Sequence, residues 1–231
     1  MWRCALIVAL ALVPVPALAC RLALALGMDV SASVNTQEYR LQMAGTAAAL
    51  TSDAVRAEVF RAEPVALAVF LWSGARERWL ISDWMVMTDA TALERLARIV
   101  ANAARPPFHG RTATGEAMKA GAELIGRAPE CVRRVLDLAT DGRANDGVPP
   151  REVAADGFAI NALSIGGGAG PLDLGNGVGQ VEALSAYLQS HVIRGPGAFV
   201  QRARGFGDFE RAMQRKLLRE MRDVMLGAVQ R

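Results

Sequence analysis

Five residues with hard oxygen ligands occur in three short segments of the chain. Asp29, Ser31 and Ser33 alternate in the first segment, Thr112 lies in the second, and Asp141 lies in the third. Carboxylate, hydroxyl and water oxygens suit Mg²⁺, Mn²⁺ or Ca²⁺, whereas zinc is bound mostly by Cys and His. Residues two apart in an extended chain share one side, so the first three side chains can turn toward one point. These residue types predict a site for one divalent metal ion, with Mg²⁺ or Mn²⁺ ahead of Ca²⁺.

The same segments also have purely structural interpretations. A Ser or Asn just before a helix caps its first turn, and Ser33 or Asn35 would need to do no more than that. Gly115 and Gly142 are typical turn residues. A structural domain with a vestigial metal site therefore stays open as one alternative.

A serine hydrolase is the second alternative. Ser31 or Ser33 would then be the nucleophile. His109 would act as the base, and Asp141 would orient it. The residues around Ser31 lack the Gly-x-Ser-x-Gly pattern of a nucleophile elbow, and two prolines shortly before His109 indicate a rigid loop. The sequence therefore favours a binding protein over an enzyme.

The elements that must position these residues alternate along the chain. Continuous apolar runs bounded by turn residues predict buried strands, and apolar residues at helical spacing predict amphipathic helices. The predicted strands are 22–30, 65–72, 79–87, 132–139, 158–165 and 198–201. The predicted helices are 38–50, one capped by Thr88 or Asp89, 114–125, a short one from 149–150, 181–189 and 206–226.

This alternation predicts the fold class. Strands that alternate with helices favour an α/β fold, with a doubly wound, mostly parallel sheet and helices on both faces. The strand at 79–87 follows the strand at 65–72 so closely that the two should form an antiparallel hairpin. The carboxyl ends of parallel strands are where such folds place ligands, and all three oxygen-rich segments lie where strands should give way to helices.

Side-chain patterns within these elements give three further expectations. The helix capped by Thr88 or Asp89 should bury one apolar face, formed by Leu93, Leu96, Ile99 and Val100. Three tryptophans should pack in or beside the hairpin, namely Trp72, Trp79 and Trp84. Basic residues on the last helix should form a solvated face, namely Arg211, Arg215, Lys216, Arg219 and Arg222.

Composition bounds the size of the core and the kind of partner. The 231 residues are 52% hydrophobic, which is ample for a single buried core. The formal net charge is only +3, and no run of Lys or Arg is present. Nucleic acid is therefore not expected as a partner.

Residues 1–19 have the pattern of a secretory signal peptide, with Arg3, an apolar run and small residues before Ala19. We predict cleavage after Ala19, a mature domain of residues 20–231, and a periplasmic or secreted location. The alternative is a lipid on Cys20, which would be the first mature residue and the one route to membrane association. Ala17 departs from the Leu usual three places before a lipidated Cys.

Taken together, the three segments resemble the metal-ion-dependent adhesion site of von Willebrand factor A domains. The pattern of that site is Asp-x-Ser-x-Ser, then Thr, then Asp. Gly110–Met118 resembles the family's Thr loop, and Leu138–Gly142 resembles its fourth-strand motif. Arg111 stands where a second glycine is usual. The resemblance covers roughly 22–226. Segments 20–34, 70–74 and 195–200 are similar to a bacterial family of exported proteins of unknown function.

The resemblance implies a specific architecture and function. It implies a sheet order of 3-2-1-4-5-6 with strand 3 antiparallel, and Thr114 as the cap of its helix. It also implies an ion held by Asp29, Ser31, Ser33, Thr112 and Asp141. One coordination position would stay open for an acidic side chain or terminus of a partner protein. The expected function is an extracytoplasmic, metal-dependent, adhesion-type binding module.

A disulfide bond is predicted between Cys20 and Cys131. These two cysteines remain after removal of the leader, and an exported protein meets conditions that permit disulfides. They precede Asp29 and Asp141 by similar numbers of residues. If strands 1 and 4 are parallel neighbours, the cysteines lie nearly level at the end opposite the metal aspartates.

Overall fold

The computed structural model describes residues 20–107, 110–167 and 177–228. The strands are β1 (Cys20–Asp29), β2 (Val65–Trp72), β3 (Arg78–Val86), β4 (Cys131–Thr140), β5 (Ala159–Ile165) and β6 (Val200–Ala203). The helices are α1 (Thr36–Thr51), α2 (Asp53–Val59), α3 (Ala90–Ala101), α4 (Thr114–Gly126), α5 (Gly177–His191) and α6 (Phe209–Ala228). One-turn helices lie at Pro150–Glu152 and Phe206–Asp208.

The six strands form one mixed sheet in the order β3-β2-β1-β4-β5-β6. All neighbours are parallel except β2 and β3, which form an antiparallel pair. The predicted fold class, strand order and direction of strand 3 are therefore confirmed. None of the helices among the described residues is long and apolar enough to cross a membrane.

Two apolar layers cover the sheet, one on each face. Alternate side chains of β1 point to opposite faces, so that Leu24 and Leu26 join the layer formed with α1, α2, α3 and α6. Ala25 joins the layer formed with α4 and α5. Gly27 lets β1 sit close to this second layer, because a Cβ there would lie 2.4 Å from the Phe70 ring. Burial on both faces explains why β1 is apolar throughout.

Several details differ from the sequence-based expectations, and three of them have a plain description. Helix α2 (Asp53–Val59) was not predicted, since its seven residues are too few to show a clear period. Ile99 lies on the exposed side of α3 with 38% of its surface accessible, whereas Leu96 and Val100 are fully buried. Strand β6 begins at Val200, two residues later than predicted.

The largest correction concerns Lys216, which was assigned to a solvated face of the last helix. Its side chain is fully buried. Successive helical residues are about 100° apart, so Lys216 does not share a side with exposed Arg215. It shares the inward side with Met213 and Glu220, both buried. There its ammonium group forms ion pairs with Asp137 and Glu220.

The tryptophans and the cysteines lie as expected. Trp72 is buried, and Trp79 and Trp84 are half-buried beside the hairpin. Cys20 and Cys131 are register partners on β1 and β4 and form a disulfide, with Cα atoms 4.3 Å apart. The predicted disulfide is thus present. The predicted leader at residues 1–19 lies outside the described residues.

Candidate metal centre

The site lies where β1 and β4 end side by side. The two strands pair with a constant offset, so Thr140 stands level with Asp29 and Asp141 comes one residue later. The Thr140 hydroxyl donates a 2.6 Å hydrogen bond to Oδ2 of Asp29. Sequence reasoning missed Thr140 as a site residue. Cys131 precedes Asp141 by one residue more than Cys20 precedes Asp29, which already indicated that Asp29 is level with Thr140 and not with Asp141.

The loop after β1 gathers three of the predicted ligands. Oδ1 of Asp29 accepts a hydrogen bond from the backbone N–H of Ser31 at 2.8 Å, which folds the chain sharply after the strand. The hydroxyls of Ser31 and Ser33 are 3.1 Å apart. The Ser33 hydroxyl donates a 2.7 Å hydrogen bond to Oδ1 of Asp141. Four of the five predicted ligands therefore meet across the gap between two strands.

Thr112, the fifth predicted ligand, lies in the loop before α4. Its backbone N–H donates to Oδ1 of Asn145, and its carbonyl accepts from the N–H of Asn145, both at 2.9 Å. A Cβ placed on Gly142 would lie 3.6 Å from the Thr112 hydroxyl. The Thr112 side chain is buried. The hydroxyl is thus close to the segment that follows β4.

Two further residues hold these loops, and sequence reasoning missed both. Ser73, after β2, accepts a hydrogen bond from the N–H of Ala113, and its hydroxyl donates to the carbonyl of Arg111. Gln42 of α1 donates through Nε2 to the carbonyl of Asp29 at 3.0 Å. Gln42 is fully buried, so its side chain needs polar partners, but the sequence of α1 has no clear apolar face that would have indicated this burial.

Asn35, and not Ser33, is the N-cap residue of α1. Its side chain accepts hydrogen bonds from the N–H groups of Gln37 and Glu38, and Glu38 bonds back to the N–H of Asn35. Ser33 is therefore not needed as a cap. The expected cap at Thr114 is wrong: Ala113 holds the N-cap position of α4, and its side chain makes no capping hydrogen bond.

Both carboxyl groups have a raised pKa, and burial is the largest cause in each. Burial raises the pKa of Asp29 to about 7, and the nearby charge of Asp141 adds to this, while hydrogen bonds from Thr140 and Ser31 oppose it. Burial also raises the pKa of Asp141, with a contribution from Glu38 and against the hydrogen bond from Ser33. Among the described residues, no cationic side chain offsets these effects.

The residues present fit a hard divalent cation. Oδ2 of Asp141 is buried and has no hydrogen-bond partner among the described residues. A buried carboxylate oxygen without a partner is costly, and a cation would satisfy it. The described residues hold no cluster of three His, Cys, Asp or Glu side chains suited to a metal. The donor set is instead two carboxylates and three hydroxyls, which suits Mg²⁺ or Mn²⁺.

A catalytic serine finds little support in the described residues. The Ser33 hydroxyl donates directly to Asp141, an arrangement without an intervening base. Nδ1 of His191 contacts the Ser190 hydroxyl and the carbonyl of Tyr187, on α5. His109, the base considered from the sequence, lies outside the described residues.

The sheet order, with one antiparallel edge strand and helices on both faces, defines a von Willebrand factor A-like fold. The chain belongs to the family described as "Protein of unknown function (DUF1194)", whose model matches residues 19–225. Among curated proteins, none matches the chain.

Solved structures share the fold at low sequence identity. Proximal thread matrix protein 1 from the mussel byssus, with a zinc-occupied metal-ion-dependent adhesion site, is 16% identical (TM-score 0.57; 87% of this chain, 48% of that one). A von Willebrand factor type A protein from Catenulispora acidiphila is 15% identical (TM-score 0.58; 87% and 43%). BatB from Bacteroides thetaiotaomicron is 14% identical (TM-score 0.55; 88% and 98%). This chain therefore spans less than half of the first two.

Proposed function

We propose that this protein is an exported, metal-dependent protein-binding module that holds an acidic group of a partner through a divalent cation. The observation that carries this proposal is the unpartnered, buried Oδ2 of Asp141, beside the hydroxyls of Ser31 and Ser33 and the carboxyl group of Asp29. These groups offer oxygen ligands and no compensating cation. The arrangement supports binding rather than catalysis.

Each side chain would have a distinct part in holding the ion. Both oxygens of Asp29 already accept hydrogen bonds, so this residue anchors the loop and supplies charge. Ser31 and Ser33 would turn their hydroxyls from each other toward the ion. Asp141 would contribute its unpartnered oxygen, and Thr112 its hydroxyl.

A bound Mg²⁺ or Mn²⁺ would supply an electrophilic position for an anionic ligand. Only two carboxylates contribute to the site, so the ion keeps part of its positive charge. An acidic side chain or a terminal carboxylate of another protein is the ligand that this charge favours. The zinc-occupied site in the mussel protein supports a divalent cation as a general property of such sites.

An extracytoplasmic location is supported by the Cys20–Cys131 disulfide. Disulfides persist in the periplasm and outside the cell and are rare in the cytosol. A sulfur atom in a disulfide also has no position left for a lipid, so the bond argues against membrane attachment through Cys20. The pattern of residues 1–19 supports export independently.

Calorimetry with Mg²⁺, Mn²⁺ and Ca²⁺ tests the metal, and capture from a cell-envelope extract with and without chelator tests the function. We expect millimolar or tighter binding of Mg²⁺ or Mn²⁺, and a captured protein that is released by chelator and not retained by Asp29→Ala. Asp53→Ala is the matched control, because Asp53 is exposed and lies on α2.

Three outcomes would contradict the proposal. An absence of binding to all three ions would favour a vestigial site. Turnover of ester or phosphate substrates that depends on Ser31 or Ser33 would favour the hydrolase. Capture by Asp29→Ala that is complete and independent of metal would place the binding surface elsewhere.

A further inference from the structure

A second cluster of reactive groups lies inside the protein between α6 and the sheet. The Lys216 ammonium nitrogen is 3.1 Å from Oδ1 of Asp137 on β4 and 3.0 Å from Oε1 of Glu220, one turn further along α6. At most 2% of any of these three side chains is exposed. The ring of Phe199 lies 4.3 Å from the same nitrogen. An amine and two carboxyl groups are thus held together away from water.

The contact between Lys216 and Asp137 differs from an ordinary ion pair. Although Nζ is within 3.1 Å of Oδ1, neither carboxyl oxygen of Asp137 has a hydrogen-bond partner among the described residues. The nitrogen therefore lies against the carboxyl group without hydrogen-bond alignment. By contrast, the Lys216–Glu220 contact is a well-formed hydrogen bond.

Asn161, on the neighbouring strand β5, holds Glu220 in place. Its amide nitrogen donates to Oε1 of Glu220 at 2.7 Å, and its amide oxygen accepts from the backbone N–H of Phe199 at 2.9 Å. Both polar atoms of Asn161 are therefore engaged. Asp137, with neither oxygen engaged in a hydrogen bond, is the carboxyl group that remains open to Lys216.

We propose that Lys216 and Asp137 condense to form an intramolecular amide cross-link between α6 and β4. After one proton passes from the ammonium group to a carboxylate, the Nζ lone pair attacks Cγ of the protonated Asp137, and a new C–N bond forms. Glu220 accepts a proton from the nitrogen and donates it to the departing hydroxyl. The Cγ–O bond breaks and one water leaves, so an amine and an acid become an amide plus water, and no oxidant or further reactant is needed.

Three physical arguments support this step. The Lys216 amine and the Asp137 carboxyl group are already held in contact, so they need not meet by diffusion. Their effective concentration is therefore much higher than that of the same groups in solution. Two buried opposite charges are costly to keep in the interior, whereas a buried amide is neutral. Burial, with a further contribution from Glu220, raises the pKa of Asp137 to about 7 against the attraction of Lys216. A large share of Asp137 is therefore protonated near neutral pH.

The cross-link would tie the last helix to the centre of the sheet. The disulfide already joins β1 to β4 at Cys131, and the amide would join α6 to β4 six residues further along that strand. Two covalent links on one strand would hold the sheet and its covering helix together when a bound partner pulls on the domain.

Intact-mass measurement of the reduced, denatured protein tests the proposal directly. We expect a mass about 18 Da below that of the processed sequence, the mass of one water. After trypsin digestion, peptide 135–143 should be found joined to peptide 216–219, because an acylated Lys216 is no longer cleaved. The full sequence mass would overturn the proposal. So would a loss of about 17 Da, which corresponds to ammonia from Asn161.

Two variants separate chemistry from folding. Glu220→Gln keeps the shape of the side chain but removes the proton carrier, so the folded variant should retain its full mass. A deficit in folded Glu220→Gln equal to that of the wild type would overturn the part assigned to Glu220. Lys119→Met is the control, since Lys119 is an exposed residue paired with Glu116 on α4, and it should keep the deficit.

Discussion

Strand β4 carries Asp137 and is followed directly by Asp141, and the surroundings of these two aspartates differ in one decisive respect. Asp137 lies beside Lys216, an internal cation on α6. Asp141 lies beside Asp29, and the described residues offer no cation to either. Asp137 and Asp29 are fully shielded from water, whereas Asp141 is half-buried, and burial raises the pKa of all three. Lys216 neutralises the first from within the chain, either as an ion pair or as the proposed amide, and for the second we propose an ion from outside.

Under the proposed function, this difference distinguishes a structural cluster from a metal-binding one. A buried acid matched by its own lysine contributes to how the helix is held on the sheet. Asp29 and Asp141, at the strand ends and next to three hydroxyls, have negative charge that a bound cation can neutralise. Stability should therefore depend on the first cluster and metal binding on the second, and the following predictions test this separation from the largest expected effect to the smallest.

Loss of the disulfide should give the largest change in stability and leave metal binding intact. The bond closes a span of 111 residues, and the chain-entropy model gives about 4 to 5 kcal/mol for such a loop. Denaturant unfolding of the Cys20→Ser, Cys131→Ser double variant measures this change, and reduced wild type should match it. Two titratable thiols in denatured, unreduced wild-type protein would contradict the bond.

Lys216→Met should lower the free energy of unfolding by about 3 to 5 kcal/mol, because it removes the link between α6 and β4 and leaves the buried carboxyl group of Asp137 without its partner. Lys119→Met is the matched surface control and should change stability by less than about 0.5 kcal/mol. Urea unfolding measures both. An equally small effect of the two variants would show that the contact of Lys216 with Asp137 does not hold α6 on the sheet.

Asp29→Asn should abolish most metal affinity while leaving the metal-free fold intact. Loss of a ligand charge should weaken Mg²⁺ binding by on the order of 100-fold. In chelator the variant should be as stable as the wild type or more so, because one of two adjacent buried acids is gone. Calorimetry and thermal melting in chelator measure the two effects. Unfolding of the variant in chelator would mean that Asp29 is structural.

Apolar runs and turn residues predicted the α/β fold class and the hairpin, whereas the strand order was implied by the resemblance of the three segments to the von Willebrand factor A adhesion site. The spacing of residues along the sequence could not predict which side chains hydrogen-bond to each other in the site. Thr140 joins the site only through the register of β1 and β4, and register is decided by pairing across the whole sheet. Ser73 contributes through a loop from a third strand, so its part depends on tertiary structure.

Lys216 was misassigned because the basic residues of α6 were treated as one surface. The helix places Met213 and Leu217 on its inward side together with Lys216. A signal was nevertheless present: Asp137 interrupts the apolar run 135–139, and a buried acid requires a partner. Matching that acid to a basic residue on an inward helical position would have identified the pair.

The pH dependence of the metal-free protein should distinguish Asp29 from an ordinary surface acid. Its pKa is raised from 3.8 to about 7 in the folded state, so between these values the folded protein holds more protons than the unfolded chain. Stability should therefore fall as pH rises from about 4 to about 7, and then level off. Asp29→Asn should reduce this slope. Stability that rises across the same window in wild type but not in the variant would contradict the raised pKa.

Proton and metal compete for the same carboxyl group, so Mg²⁺ affinity should increase from pH 6 to pH 8. The rise should approach about tenfold per pH unit below the pKa if one proton is displaced. Titration calorimetry at three pH values measures it. Affinity that is constant with pH would show that Asp29 binds the ion without losing a proton.

The smallest effect is expected at Thr112, and it tests whether the third loop supplies a ligand at all. Thr112 is held by backbone hydrogen bonds to Asn145, which Thr112→Ala should preserve, so the substitution removes one hydroxyl and little else. We expect about a fivefold loss of Mg²⁺ affinity, equivalent to about 1 kcal/mol, with recovery in Thr112→Ser. Calorimetry on the three proteins at one pH decides the point. If Ala and Ser variants bind as wild type does, Thr112 is not a ligand; if both lose affinity equally, the methyl group and loop packing matter more than the hydroxyl.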